Sequence, residues 1–251
     1  MNNVNFEQFK QLHHQSTPLI LNNVWDTGSA CIVQEHGANA LATSSASLAW
    51  SLGYADGSQL PLNELLMAIE RIQNVAKVPL SVDIESGYSD SPQKVADSCK
   101  ALVEIGVAGI NIEDGSQAPD LLIAKIDAIA TCTKGALFIN ARTDVFLRSL
   151  TVERAALNMT IERLIKYLRC GAHGGFVPGL NNATMVSEIV SSVNMPINLM
   201  VENLQTALAY FSDINVARFS VGPNSYLSAY QHLLPKGSTL SYDKMNGYFM
   251  K

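Results

Sequence analysis

Asp83 and Glu85 stand two residues apart at the end of an apolar run in SVDIESGY, and a third acid, Glu113, closes a later run, GINIE. Acids at alternate positions of a strand point to one side, and neighbouring strands lie roughly 4.8 Å apart, so the three carboxylates are expected to share one small volume. Such a cluster repels itself unless a cation neutralises it. Oxygen ligands without His or Cys select Mg2+ or Mn2+ over zinc, which makes Asp83, Glu85 and Glu113 the candidate metal ligands. The plainer reading, in which the acids cap the helix that follows, leaves unexplained why a third acid appears at the matching place in the next unit.

Other polar residues close the remaining apolar runs: Asn23, Trp25 and Asp26; Ser44 and Ser45; Asp114; Asn140 and Arg142; Asn198; Ser220. All are expected at one mouth. Arg142 suits a two-point grip on a carboxylate, or a salt bridge inside the acid cluster. Small residues at Ser44 and Ser45 would let backbone amides approach an anionic oxygen, although an ordinary turn has the same composition. His13, His14, His36 and His173 sit in polar helical or pre-strand contexts and offer no general base. SVGPNS is too poor in glycine for a phosphate loop and reads as packing.

The elements that must position these groups recur from end to end. Eight short β-rich runs are visible: PLILNN, NALATS, VPLSVD, VAGINIE, ALFINAR, GGFVP, MPINLM and VARFSVG. Between them lie stretches of helical periodicity, such as LNELLMAIERIQNVAK and SPQKVADSCKALVEIG. Glycines after these stretches suit left-handed helix ends, and Ser91-Pro92 and the segment from Leu150-Thr151 to Glu153 look like helix starts with a capping hydroxyl. Eight βα units in 251 residues predict a (β/α)8 TIM barrel, with a doubly wound sheet as the fallback. One domain is expected over residues 1–251, with an N-terminal helix in 1–17 and a C-terminal tail in 235–251. The tail would cover the barrel bottom or pack on a neighbouring subunit.

A net charge of −5 with scattered Lys and Arg gives neither a nucleic-acid footprint nor a basic membrane patch. Cys31, Cys99, Cys132 and Cys170 lack metal-site spacing and read as reduced, buried thiols on apolar helices. No basic start leads into an apolar leader, so a soluble, cytoplasmic protein is expected.

Together, LNNVWDTGSA, ATSSASLAWSLGYADG, SVDIESGY, GINIEDG, INARTDVF, FVPGL and SVGP resemble, in order, the phosphoenolpyruvate mutase/isocitrate lyase superfamily, closest to its short mutase-like and 2-methylisocitrate lyase-like branch. The resemblance implies a (β/α)8 barrel, commonly with a C-terminal helix exchanged in dimers or tetramers. It also implies a Mg2+ ion at Asp83, Glu85 and Glu113, with Asp83 the direct ligand, bound by a 2-oxo acid. Ser44, Ser45 and Ala46 match the turn whose amides receive the carboxylate, Asp56 matches a further active-site acid, and Arg142 matches the substrate-binding arginine. Trp25 and Asn198 complete the expected substrate site; Arg142, Asp56 and Glu113 are the expected catalytic groups.

The chain departs from that pattern after the fourth run, where IEDG passes through SQAPDLLIAKIDAI into a helix without the long cysteine-bearing gate of the lyases. The expected activity is a Mg2+-dependent lyase or decarboxylase acting on a small 2-oxo or 2-hydroxy di- or tricarboxylate through a pyruvate-like enolate, with Tyr88 or a water supplying the last proton. A phosphonopyruvate-type mutase or hydrolase and a non-catalytic 2-oxo acid binder are the alternatives. The expected partners are the small substrate and further copies of the chain.

Overall fold

Nine strands form one parallel sheet in the structure, a computed structural model that describes residues 4–250. They are β1 (Leu19–Leu21), β2 (Asn23–Val24), β3 (Leu41–Thr43), β4 (Leu80–Asp83), β5 (Gly109–Glu113), β6 (Phe138–Arg142), β7 (Gly174–Phe176), β8 (Ile197–Met200) and β9 (Arg218–Ser220). The first two are separated by Asn22 alone; β1 pairs with β9 and β2 with β3. They therefore act as one stave, and the sheet closes into the eight-stave (β/α)8 barrel. Each of the eight apolar runs supplies one stave. The strands are buried almost throughout, as a parallel sheet covered on both faces requires.

The helices in chain order are α1 (Val4–Leu12), α2 (Thr27–Glu35), α3 (Ser45–Ser51), α4 (Leu62–Val75), α5 (Pro92–Ile105), α6 (Pro119–Thr133), α7 (Glu153–Arg169), α8 (Ala183–Ser192), α9 (Leu204–Tyr210), α10 (Asn224–Gln231) and α11 (Tyr242–Gly247). Their apolar stripes face the staves: Leu65, Ile69 and Ile72 of α4 are buried at three- and four-residue spacing. Ser91 caps α5 ahead of Pro92, a cap worth about 1 kcal/mol, and Gly106 ends it in the left-handed region at φ 102°. The start of α7 departs from expectation. Val152 occupies its N-cap and no side chain caps it, so Thr151 does not supply the hydroxyl; Glu153 provides the early acid.

The bottom of the barrel is closed by α1. Phe6, Phe9 and Leu12 pack against Leu19, Leu21, Ala40, Ala42, Ala108 and Phe138. Gly109 makes room for this plug, since a Cβ there would lie 2.8 Å from the Phe9 ring. His13 and His173 stack on Phe138, and burial lowers their pKa values to about 3 and about 4, which keeps both rings neutral. The tail does not cover this end. Instead, α11 folds against α3 on the opposite, mouth side, where Leu240 and Met245 join Ala46, Trp50 and Tyr226 in a separate apolar cluster.

All four cysteines are free; Cys99 is buried and Cys132 and Cys170 half-buried, but Cys31 is exposed on α2, against the expectation of four buried thiols. Among the described residues no helix is long and apolar enough to cross a membrane.

Candidate active site

The end of β4 sets the first half of the site. Asp83 is the last strand residue, and its N–H donates to Thr43 Oγ1 at 3.0 Å. Glu85 lies beyond the strand in the left-handed region at φ 51°, so strand alternation is not what aims it. Its N–H instead donates to Asp83 Oδ1 at 3.0 Å, and its side chain turns toward the loop after α3. There Glu85 Oε2 accepts from Ser58 N–H at 2.5 Å and Ser58 Oγ at 3.0 Å, while Oε1 accepts from Tyr88 OH at 3.1 Å. Ser58 and Tyr88 are themselves left-handed, at φ 61° and 60°. Three strained residues in one hydrogen-bonded group, each costing on the order of 1 kcal/mol or more, persist only because their surroundings fix them. Neither Asp83 nor Glu85 caps the following helix, because Ser91 does.

The second half comes from β5 and β6, paired so that Glu113 and Arg142 sit in register. Arg142 Nη1 lies 2.9 Å from Glu113 Oε2. Its Nε and Nη2 donate to the fully buried Asp144 at 2.6 and 3.2 Å, and Phe176 lies under its guanidinium at 5.6 Å. Arg148 adds a bond to Asp144 at 2.9 Å. Asp144 lies beyond the strand end, outside the residues that strand-end position singles out. The signal for it was Arg142 itself, since an arginine at a buried strand end needs a second anchor.

Asp114, expected at the mouth, points elsewhere. It accepts from Arg163 at 2.8 Å, Tyr167 OH at 2.6 Å and the Asp144 N–H at 2.9 Å, so it braces the β6 loop from behind.

Asp56, Asp83, Glu85, Glu113 and Arg142 line one cavity of about 990 Å3 at the C-terminal ends of the strands, together with Ser44, Ser45 and Ala46 at the start of α3. Burial raises the pKa of Asp83, against the pull of Arg142 and the Glu85 N–H. Burial, with Asp56 and Asp83 adding repulsion, lifts Glu85 to about 7. Glu113 is also raised by burial, with Arg142 opposing. Tyr88, as the donor to Glu85, is raised by burial and by that carboxylate.

Of the remaining expected residues, Asn23 and Ser220 also line the cavity, and the others stand apart. Asp26 caps α2 through a reciprocal Asp26–Ser29 box, and Trp25 packs edge-on against Tyr226 at 5.0 Å; neither lines the cavity. Asn198 lies below the mouth in a buried layer, accepting from Asn140 at 3.2 Å and donating to Ser220 Oγ at 3.3 Å. Asn23 holds the loop after β9, accepting from the Gly222 N–H at 2.8 Å. Among the described residues no three Asp, Glu, His or Cys side chains form a ready-made metal cage. Ser58 and Tyr88 divert Glu85, and Arg142 occupies Glu113. The loop between β5 and α6 is only Asp114 to Ala118, with no long gate.

Known proteins share this architecture. The family described as phosphoenolpyruvate phosphomutase matches residues 9–239. An uncharacterised protein of Mycobacterium tuberculosis strain H37Rv is 36% identical over 224 residues, which is 87% of this chain and 83% of the relative. The 2-methylisocitrate lyase of Escherichia coli K12 is 28% identical over 204 residues, covering 75% of this chain and 67% of that enzyme. A solved structure of a candidate phosphonomutase from Burkholderia cenocepacia J2315 superposes with a TM-score of 0.87 at 37% identity, over 91% of this chain and 97% of the other. With strand-end acids, a paired arginine and the short turn before α3 all at the barrel mouth, the chain belongs to the phosphoenolpyruvate phosphomutase family.

Proposed function

We propose that the chain is a Mg2+- or Mn2+-dependent lyase or decarboxylase for a small 2-oxo or 2-hydroxy di- or tricarboxylic acid. The observation that carries this reading is the charge balance of the cavity. Five carboxylates, Asp56, Asp83, Glu85, Glu113 and Glu202, line it against two arginines, Arg142 and Arg148, and both arginines already spend their charge on Glu113 and Asp144. Asp83 accepts one hydrogen bond, from the Glu85 N–H, and its other oxygen has no donor among the described residues. That oxygen is open to the cavity, where a hard dication would balance the clustered negative charge. The all-oxygen donor set suits such an ion: Asp83 would hold it directly, and Glu85 and Glu113, engaged by Ser58, Tyr88 and Arg142, would reach it through its waters. Bound there, it would supply Lewis-acid neutralisation of charge developing on the 2-oxo acid.

The chain's own groups divide the remaining work. The Ser45 and Ala46 amides at the start of α3 lack intrahelical acceptors, Ser47 N–H being taken by Ser44 Oγ, and with Arg142 they suit a substrate carboxylate. In decarboxylation the C3–C4 electron pair moves into the C2 carbonyl, CO2 leaves, and C3 later takes a proton. No general base starts this reaction, so it asks least of the absent gate. The phosphonomutase-type relative favours a second reading, cleavage or migration at a P–C bond.

Oxalate, an enolate mimic, is expected to raise the melting temperature only with Mg2+ or Mn2+, and Asp83→Ala to abolish the rise. An equal rise in EDTA rejects the metal. Oxaloacetate-type diacids, methylisocitrate and phosphonopyruvate, assayed for pyruvate and phosphate, then separate the readings: pyruvate alone supports the lyase, and phosphate from phosphonopyruvate the alternative.

A further inference from the structure

We infer that helix α11 is a working part of the site and that Tyr242 is a positioning residue for Asp56. The inference rests on the cavity being a 2-oxo or 2-hydroxy acid site. Tyr242 and Asp56 both line that cavity, and the Tyr242 hydroxyl donates to Asp56 Oδ2 at 2.7 Å. One turn further along the same helix, Asn246 Oδ1 accepts from the Asp56 N–H at 2.7 Å and from Trp50 Nε1 at 2.9 Å. One short helix therefore holds both the peptide and the carboxylate of Asp56. The helix is itself fixed at three points. Ser241 caps it, Met245 is buried beneath it, and the Tyr242 and Trp50 rings lie 5.4 Å apart.

The arrangement leaves one group waiting. Asp56 Oδ1 is enclosed and accepts no hydrogen bond among the described residues. Rotation of the carboxylate would relieve it, and the Tyr242 bond to Oδ2 is what opposes rotation. Two residues on, Ser58 holds Glu85, so the same fastening reaches the acid cluster. The family match ends at residue 239, and Tyr242 and Asn246 come after it.

Because Oδ1 is enclosed, a ligand meets Asp56 at Oδ2, the oxygen that Tyr242 holds, and a hydroxyl on C2 can donate there whereas oxalate brings no donor. Tyr242 is accordingly a determinant of preference for hydroxyl-bearing acids. The test is calorimetric titration of the full-length chain, loaded with Mg2+, with malate and with oxalate. It compares the wild type with Tyr242→Phe, Asp56→Asn and the double variant. Losing one charge-assisted bond is expected to weaken malate about tenfold in Tyr242→Phe and oxalate less than about twofold. The double variant is expected to bind malate no more weakly than the weaker single, since the two residues act as one unit. Asn246→Ser, which leaves the phenol in place, is expected to show the same selective loss and covers the case in which Tyr242→Phe melts early. Equal loss for both ligands, additive losses, or wild-type affinity in Tyr242→Phe overturns the inference alone. A wild type that binds neither ligand overturns the 2-oxo acid reading, and this inference with it.

Discussion

Asp144 grips Arg142 from the side opposite Glu113, taking Nε at 2.6 Å and Nη2 at 3.2 Å, while its own N–H donates to Asp114 at 2.9 Å. Arg163 and Tyr167 of α7 hold Asp114 in turn. The guanidinium at the mouth is thus braced by a line of ionic hydrogen bonds running back into the helical layer. Nη1 faces Glu113, so the arginine enters the cavity in one orientation. Fixing a donor before its anion arrives is what makes such a contact effective in binding and catalysis.

Asp144→Asn keeps the shape and removes the charge, leaving Arg142 and Arg148 with Glu113 as their remaining carboxylate. Breaking a buried pair this way costs about 3 kcal/mol or more of stability. Oxalate affinity in the presence of Mg2+ is expected to fall at least about tenfold, because Arg142 is no longer oriented. Arg148→Ala removes a half-exposed partner from the same carboxylate and is expected to cost under about 1 kcal/mol. Denaturant melts and calorimetry check both, and equal losses in the two variants would count against the bracing role of Asp144.

Glu85 predicts a stability that falls as pH rises. In the folded chain burial lifts its pKa to about 7, above its ordinary value of 4.5. The unfolded chain therefore gives up this proton first, and between about pH 4.5 and 7 the folded state binds more protons, so folding free energy is lost across that window. Glu85→Gln removes the titration. Without divalent metal it is expected to match the wild type near pH 4 and to exceed it by about 3 kcal/mol at pH 8, with Mg2+ narrowing the difference. Chemical denaturation at the two pH values measures it. His13 and His173 titrate in a neighbouring range, but they are common to both proteins and cancel in the comparison.

The barrel was legible because its signals are local and repeated. Eight apolar runs separated by helical periodicity, with glycines at the turns, allow few other closures. The acids of the site were legible for the same reason, since strand ends converge wherever a barrel closes. What escaped the sequence depends on contacts between distant segments. Strand alternation placed Glu85 beside Asp83, but the chain turns left-handed there and Ser58, far back in the chain, takes the carboxylate. Asp114 follows Glu113 directly, yet it faces Arg163 and Tyr167 on the other side of the sheet. Asp26 and Trp25 have the composition of a site and serve a helix cap and a tyrosine contact. The tail offered no periodic pattern, so its seat beside Trp50 and Asp56 follows only from the single contacts of Tyr242 and Asn246.

Gly179 links backbone geometry to the cavity wall. It sits at φ 80°, and a Cβ there would fall 2.8 Å from Leu147 Cα and 2.9 Å from Leu147 N. Both are backbone atoms of the loop that carries Arg148, and Leu147, Arg148 and Gly179 all line the cavity. Gly179→Ala therefore combines a left-handed alanine, about 1 kcal/mol, with displacement of a loop that cannot yield by rotating a side chain, about 1–3 kcal/mol. Gly57 separates the two effects: it is left-handed at φ 96° with nothing within 4 Å of the added carbon. Gly57→Ala is expected to cost only the conformational part and to bind oxalate nearly as the wild type does. Gly179→Ala is expected to be less stable than Gly57→Ala and to lose oxalate affinity several-fold, because Arg148 moves with Leu147. Equal melting temperatures and equal affinities in the two variants would mean that the loop yields freely and that Gly179 is there for its backbone conformation alone.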